Sequence, residues 1–172
     1  MFLGKKVMLR TYNQTNLPHL RQVLAGEIPE NGREDAEFLI KDKESGEFLG
    51  TAGLYDLESR TRSAEYAITI WDKRHHGQGY GTDATIMVLW VAFYELGLSE
   101  VFLNVYNINK KARMAYERAG FRMTSAESLT ATTEEKFPTY LVMEITAEEF
   151  RHLNPPTSYP FVSKTPPANV SE

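Results

Sequence analysis

The feature that most constrains this chain is the run His76-Gly77-Gln78-Gly79-Tyr80-Gly81-Thr82, set between an apolar strand pattern and an apolar helix pattern. Glycine at every second position removes the Cβ atoms that would keep a ligand away from the backbone. A helix starting at Thr82 or Asp83 would point its free N–H groups and positive dipole end into the loop, an arrangement that binds phosphate. A tight strand-to-helix turn would use the same glycines. Two familiar phosphate loops fail on spacing. The third glycine comes one residue early for G-x-G-x-x-G, and no lysine follows Gly81 as G-x-x-x-x-G-K-[ST] requires.

The flanking pattern is that of a mixed α/β chain. Strand-like alternation occupies 7–12, 36–41, 47–55 and 64–71, with polar turns between. Residues 16–25 read as a helix with Pro18 in its first turn. After the loop, 83–96 reads as an apolar helix closed by Gly97. A strand at 100–106 precedes a helix at 110–119, capped by Asn109 and closed by Gly120. The last strands fall at 121–132 and 139–146. Hairpins first and a strand-helix-strand-helix unit later imply a mixed sheet. Beyond Leu153 the chain carries five of its eight prolines. A single domain over 1–153 is therefore expected, with an extended or disordered tail at 154–172.

Composition excludes several classes. A chain of 172 residues suits one domain with a sizeable core. It has no cysteine, hence no disulfide framework, thiolate metal site or cysteine nucleophile. The adjacent His75 and His76 rarely chelate one ion and no H-E-x-x-H occurs, so no metal is expected. No signal peptide is expected from the sequence pattern, and the longest apolar stretch, 86–94, is too short to span a bilayer. The expectation is a cytoplasmic protein without a membrane partner. A net charge of -4 argues against nucleic acid and favours small cationic partners.

Residues 64–84 read Ala-Glu-Tyr-Ala-Ile-Thr-Ile-Trp-Asp-Lys-Arg-His-His-Gly-Gln-Gly-Tyr-Gly-Thr-Asp-Ala, and 105–121 read Val-Tyr-Asn-Ile-Asn-Lys-Lys-Ala-Arg-Met-Ala-Tyr-Glu-Arg-Ala-Gly-Phe. Together they resemble the two motifs of the GNAT acetyltransferase superfamily, especially its RimJ/RimL-like branch. The first is an R/Q-x-x-G-x-G/A loop. The second is N-x-x-A-x-x-x-Y-x-x-x-G-F, matched by Asn109, Ala112, Tyr116, Gly120 and Phe121. The likeness spans roughly 5–150. It implies a central mixed, mostly antiparallel twisted sheet of six to seven strands, flanked by helices and splayed at the cofactor strand. It also implies acetyl-CoA as cofactor, held by the loop His76, Gly77, Gln78, Gly79, Tyr80, Gly81 and Thr82 together with Asn109 and Ala112. The acceptor implied is a primary amine: a protein N-terminal α-amine, a polyamine or another small amine. With no cysteine to carry the acetyl group, the amine attacks directly in a ternary complex.

Such chemistry needs a neutral amine, yet a lysine-like amine has a pKa near ~10.4 and must lose a proton. Some histone acetyltransferases place their catalytic glutamate where this chain has Glu65, which makes Glu65 the candidate base. Lying near Arg60 and Arg62 in sequence, it also fits a solvated strand-end carboxylate. Tyr116 shares a helix face with Ala112, Ala115 and Ala119. On position alone it is a core tyrosine; relatives use it to protonate the coenzyme A thiolate. The family's cofactor strand splays from its neighbour, and the pantetheine arm pairs with its exposed N–H groups. Here those groups belong to Ile68, Ile70 and Trp71, and one aimed at the thioester oxygen would contribute on the order of ~3 kcal/mol. Ordinary sheet pairing is the alternative.

The chain departs from the pattern in places. His76 stands where the family has Arg or Gln, although Arg74 offers a register ending at Gly79. Lys73, Arg74, Lys110, Lys111 and Arg113 bracket the two helix starts, as solvated charges or as partners for the 3′-phosphate. Asn109 can cap its helix and, by the resemblance, also lie near the cofactor. A short loop at 26–32 replaces the second helix that walls the acceptor side in many relatives. That side is expected to be open or completed by another element, and homodimers are common in the family. The alternatives are an acyl-CoA-binding sensor without turnover and a transferase of a larger acyl group, such as succinyl. Acceptor choice falls to 18–33 and 127–139, which carry no motif.

Overall fold

Period-two alternation of buried and exposed residues lays down the strands, and their pairing positions everything else. The computed structural model describes residues 1–29, 32–127 and 139–157. Its elements run β1 (Phe2–Leu3), β2 (Val7–Tyr12), α1 (Leu17–Leu24), β3 (Ala36–Asp42), β4 (Phe48–Glu58), β5 (Ser63–Ile70), α2 (Tyr80–Trp90), β6 (Glu100–Tyr106), α3 (Lys110–Ala119), β7 (Arg122–Glu127), β8 (Tyr140–Thr146) and α4 (Ala147–Leu153). They form one sheet in the order β1-β2-β3-β4-β5-β6-β8-β7. That is eight strands rather than six or seven. The two-residue β1 is too short to show any alternation.

Every neighbouring pair is antiparallel except β5 and β6, which run parallel. That parallel pairing lasts only for Ser63↔Glu100, Ala64↔Val101 and Glu65↔Phe102. Beyond it the two strands part. β5 continues to Ile70 along β4, while β6 continues to Tyr106 along β8. The sheet therefore forks immediately after Glu65.

One face of the sheet makes the core. Phe38, Ile40, Leu54, Val101, Leu103 and Ile145 are buried there against Val88, Leu89, Phe93 and Phe150 of the helical layer. Each fully buried side chain of this size stabilises the fold by about 1.5–3 kcal/mol. The opposite face, which includes Glu37, Thr51, Ala67 and Thr69, is partly or fully exposed.

The structure revises both ends of α2. α2 begins at Tyr80, not Thr82 or Asp83, because Gly79 turns the chain in the left-handed region at φ 87°. Its α-helical bonding stops at Trp90; a π-helical turn, Val91–Glu95, carries the chain on to Gly97 at φ 69°. The sequence pattern also missed α4, whose capping box pairs Thr146 with Glu149. Of the strand expected at 121–132, the part from 128 lies outside the described residues, as do 158–172 of the expected tail. Between α1 and β3 the described residues form no second helix. Among the described residues no helix is long and apolar enough to cross a membrane.

Candidate active site

Three helices begin under a side chain. Asn16 accepts from His19 N–H, Asn109 from Ala112 N–H, and Thr146 from Glu149 N–H. α2 begins on Gly79 with no side-chain cap. The first N–H groups of a helix have no acceptor within it. Those of Tyr80, Gly81 and Thr82 are thus left facing the glycine loop, where a Cβ on Gly77 would meet no atom within 4 Å. Open space before an uncapped helix start is the geometry of an anion site.

The side chains of the loop are turned to other work. His76 Nε2 donates to the Ile70 carbonyl at 2.9 Å, and Gln78 donates to the Arg74 carbonyl. Arg74 is held by Asp72 at 2.6 Å, and the same guanidinium, through its hydrogen bond, brings the Asp72 carboxyl from 3.8 to about 2. His75 reaches Glu47 at 3.3 Å, so the two histidines point to different partners. Tyr80 donates to Asp42 at 2.8 Å. With these side chains engaged, the backbone of 76–82 is what the loop has left to offer an anion; among the described residues Lys6, Lys73, Lys110, Lys111 and Arg113 make no ion pair within 4.0 Å.

The fork sets a second group of backbone donors. Trp71 N–H donates to Leu49 O at 2.9 Å, so it faces β4. Successive residues of a strand turn their N–H groups to opposite edges. Ile68 and Ile70 therefore face the gap where β6 has departed, and Trp71 does not. The expectation for Trp71 is corrected on parity. The coenzyme implied by the sequence fits these donors: a pyrophosphate before the uncapped helix, and an amide-bearing arm along Ile68 and Ile70.

Glu65 stands at the point of the fork. Asn104, one residue beyond Leu103 on β6, donates to its Oε1 at 3.0 Å across the opening. No ion pair to Arg60 or Arg62 forms; Arg62 donates instead to Gly97 O at 2.9 Å. Tyr66, the next residue on β5, points to the opposite face and is buried. Its hydroxyl bonds Thr85, which donates to Gly81 O in the loop at 2.7 Å. Tyr116 packs edge-on against Tyr66, with ring centroids 6.3 Å apart, and against Phe121 at 5.9 Å. Burial alone raises the Tyr116 hydroxyl above its ordinary pKa, so it holds its proton at neutral pH. Burial, and the neighbouring Tyr116, push Tyr66 well above its own. Glu65 and Tyr116 thus flank the fork from its two faces. Asn109 caps α3, and Ala112 packs against the core.

Sequence reasoning missed Asn104, Thr85 and Tyr55. Asn104 and Thr85 were visible as polar residues inside apolar patterns. Tyr55 lies opposite Glu65 on β4 and donates to Glu37 at 3.3 Å on the exposed face. Arg33 pairs with Asp35 and Asp56 at 3.0 and 3.1 Å beside it.

A family model described as an acetyltransferase (GNAT) domain matches residues 6–122. No curated protein matches the sequence. Among solved structures, the Vibrio cholerae spermidine N-acetyltransferase in complex with CoA and spermine superposes with a TM-score of 0.64 at 19% identity, over 84% of this chain and 98% of that one. A chimera of that Vibrio cholerae enzyme with hSSAT gives 0.66 at 20% identity, over 85% and 98%. At such identity the likeness is one of fold.

Proposed function

The chain belongs to the GNAT acetyltransferase family and is an acetyl-CoA-dependent N-acetyltransferase, and from that premise we propose that its acceptor is a primary amine of a small polycation. Bound acetyl-CoA supplies the acetyl group as a thioester. The backbone of 76–82 would take the pyrophosphate, and the N–H groups of Ile68 and Ile70 would hold the arm and polarise the thioester carbonyl. Glu65 accepts the amine proton, directly or through water, oriented by Asn104. Tyr116 gives its proton to the departing sulfur. The observation that carries this reading is the placement of Glu65 and Tyr116 on opposite faces of one fork. An amine can then arrive from one side of the sheet while the thiolate is met on the other.

Two observations favour a polycation. Glu37 and Glu65 share the exposed face two strands apart and two residues out of step, roughly 12 Å by strand spacing and rise, a span that two amines of a linear polyamine cover. The structural neighbours named above include polyamine acetyltransferases. The protein N-terminal amine implied by the RimJ/RimL-like motifs is the second reading, favoured because the described residues between α1 and β3 form no second helix.

The test is thiol release from acetyl-CoA with a panel of polyamines, other small amines and short N-terminal peptides, with succinyl-CoA as a second donor. Release that requires a polyamine and falls about a hundredfold in Tyr116→Phe is expected. Turnover with peptides alone overturns the polycation. Tight acetyl-CoA binding without turnover on any acceptor would make the chain a sensor, and preference for succinyl-CoA would change the donor.

A further inference from the structure

We propose that the turn joining β1 to β2 is a brace that sets the shape of the cofactor loop, with Asp83 and Lys6 as its positioning residues. The inference rests on the reading of 76–82 as the coenzyme A site. Asp83 lies in the first turn of α2 and is only 6% exposed. An acidic side chain there ordinarily folds back over its own helix start. Asp83 instead accepts N–H groups from Lys5 at 3.2 Å, Lys6 at 2.7 Å and Val7 at 2.9 Å. Turned this way, the carboxylate does not compete with a ligand anion for the N–H groups of α2.

The approach is close. A Cβ on Gly4 would lie 2.5 Å from Asp83 Oδ2. The same turn grips the loop directly, since Lys6 Nζ donates to the Gln78 carbonyl at 2.9 Å and lies 5.7 Å from the Tyr80 ring centre. Lys6 also lines the back of Gly79, with its side-chain carbons 3.8 Å from where a Cβ would stand. Lys43 N–H bonds Lys6 O at 2.9 Å and its ammonium bonds Gly4 O at 3.0 Å, tying the brace to the β3–β4 turn. β2 is separated from β5 by β3 and β4. Lys6 therefore stands away from the fork and acts on the coenzyme through the loop.

The experiment measures coenzyme A binding by calorimetry, with kcat, KM for acetyl-CoA and the unfolding midpoint, for Lys6→Met, Lys6→Arg and Gly4→Ala. Lys6→Met is expected to raise Kd and KM about fivefold, the worth of one ordinary hydrogen bond, with kcat within about twofold and the midpoint held. Lys6→Arg, which keeps a donor for Gln78 O, restores most of the affinity. Gly4→Ala displaces Asp83 without touching any charge and raises Kd in the same direction. Wild-type affinity in both Lys6→Met and Gly4→Ala overturns the brace. So does a loss confined to Lys6→Met, which would make Lys6 a direct phosphate ligand. Failure of the wild-type protein to bind coenzyme A would instead overturn the reading of the loop itself.

Discussion

α2 starts on Gly79 with its first N–H groups uncovered, whereas α1, α3 and α4 start under Asn16, Asn109 and Thr146. A side-chain cap stabilises a helix by about 1 kcal/mol. The chain takes that gain three times and forgoes it where the glycine loop arrives. The difference separates ends built to hold the fold from an end built to hold something else. It predicts a division of labour among variants: changes at the loop and fork lose more activity than their cost in stability accounts for, and changes at the capped ends lose stability without activity.

The strongest test of that division is Glu65→Gln, expected to lower kcat about a hundredfold in the thiol-release assay while leaving the urea midpoint where it was. A loss of stability instead would place Glu65 among the structural residues. Gly79→Ala comes next. A side chain at φ 87° costs about 1–2 kcal/mol, and KM for acetyl-CoA should rise about tenfold as the loop relaxes away. At the other ends, Asn16→Ala and Thr146→Ala should each remove about 1 kcal/mol of unfolding free energy without changing kcat. A cap variant that abolished turnover would break the comparison.

The smallest effect concerns pH. Asp42 is brought from 3.8 to about 2, first by the Ser45 backbone N–H and then by the Tyr80 hydroxyl. With the folded value below the unfolded one, its contribution is complete above about 4 and fades as pH falls through about 2. Tyr80→Phe removes one donor, so the Asp42 carboxyl should titrate at higher pH in an NMR titration, and the fading, still starting near 4, should be smaller and finish at a higher pH.

Much of this was legible in residue order. β2, β6 and α3 lie where alternation and capping residues put them, because those signals are local. α2 was displaced because the residue that caps it is a glycine in a left-handed turn, and a further glycine stands two residues away on either side. α4 was missed although Thr146 and Glu149 stand at capping-box spacing; the apolar run after them is short. The Trp71 error has a different origin. Which N–H groups face the fork depends on the parity of the β4–β5 register, and no residue near Trp71 announces that parity. Asn104 escaped for the same reason, since its partner Glu65 is 39 positions away.

The three residue pairs that join β5 to β6, with the Ser99 and Glu100 N–H bonds to Arg62 O beside them, are also the sheet's seam between a five-stranded half and a three-stranded half. A joint that short is the mechanical weak point of the molecule, where amide exchange and strain should concentrate first. A reactant that took the Ile68 and Ile70 N–H groups, as proposed, would lengthen the joint each time it bound. The enzyme would then be stiffest while saturated, and its resistance to unfolding would follow the supply of its own donor.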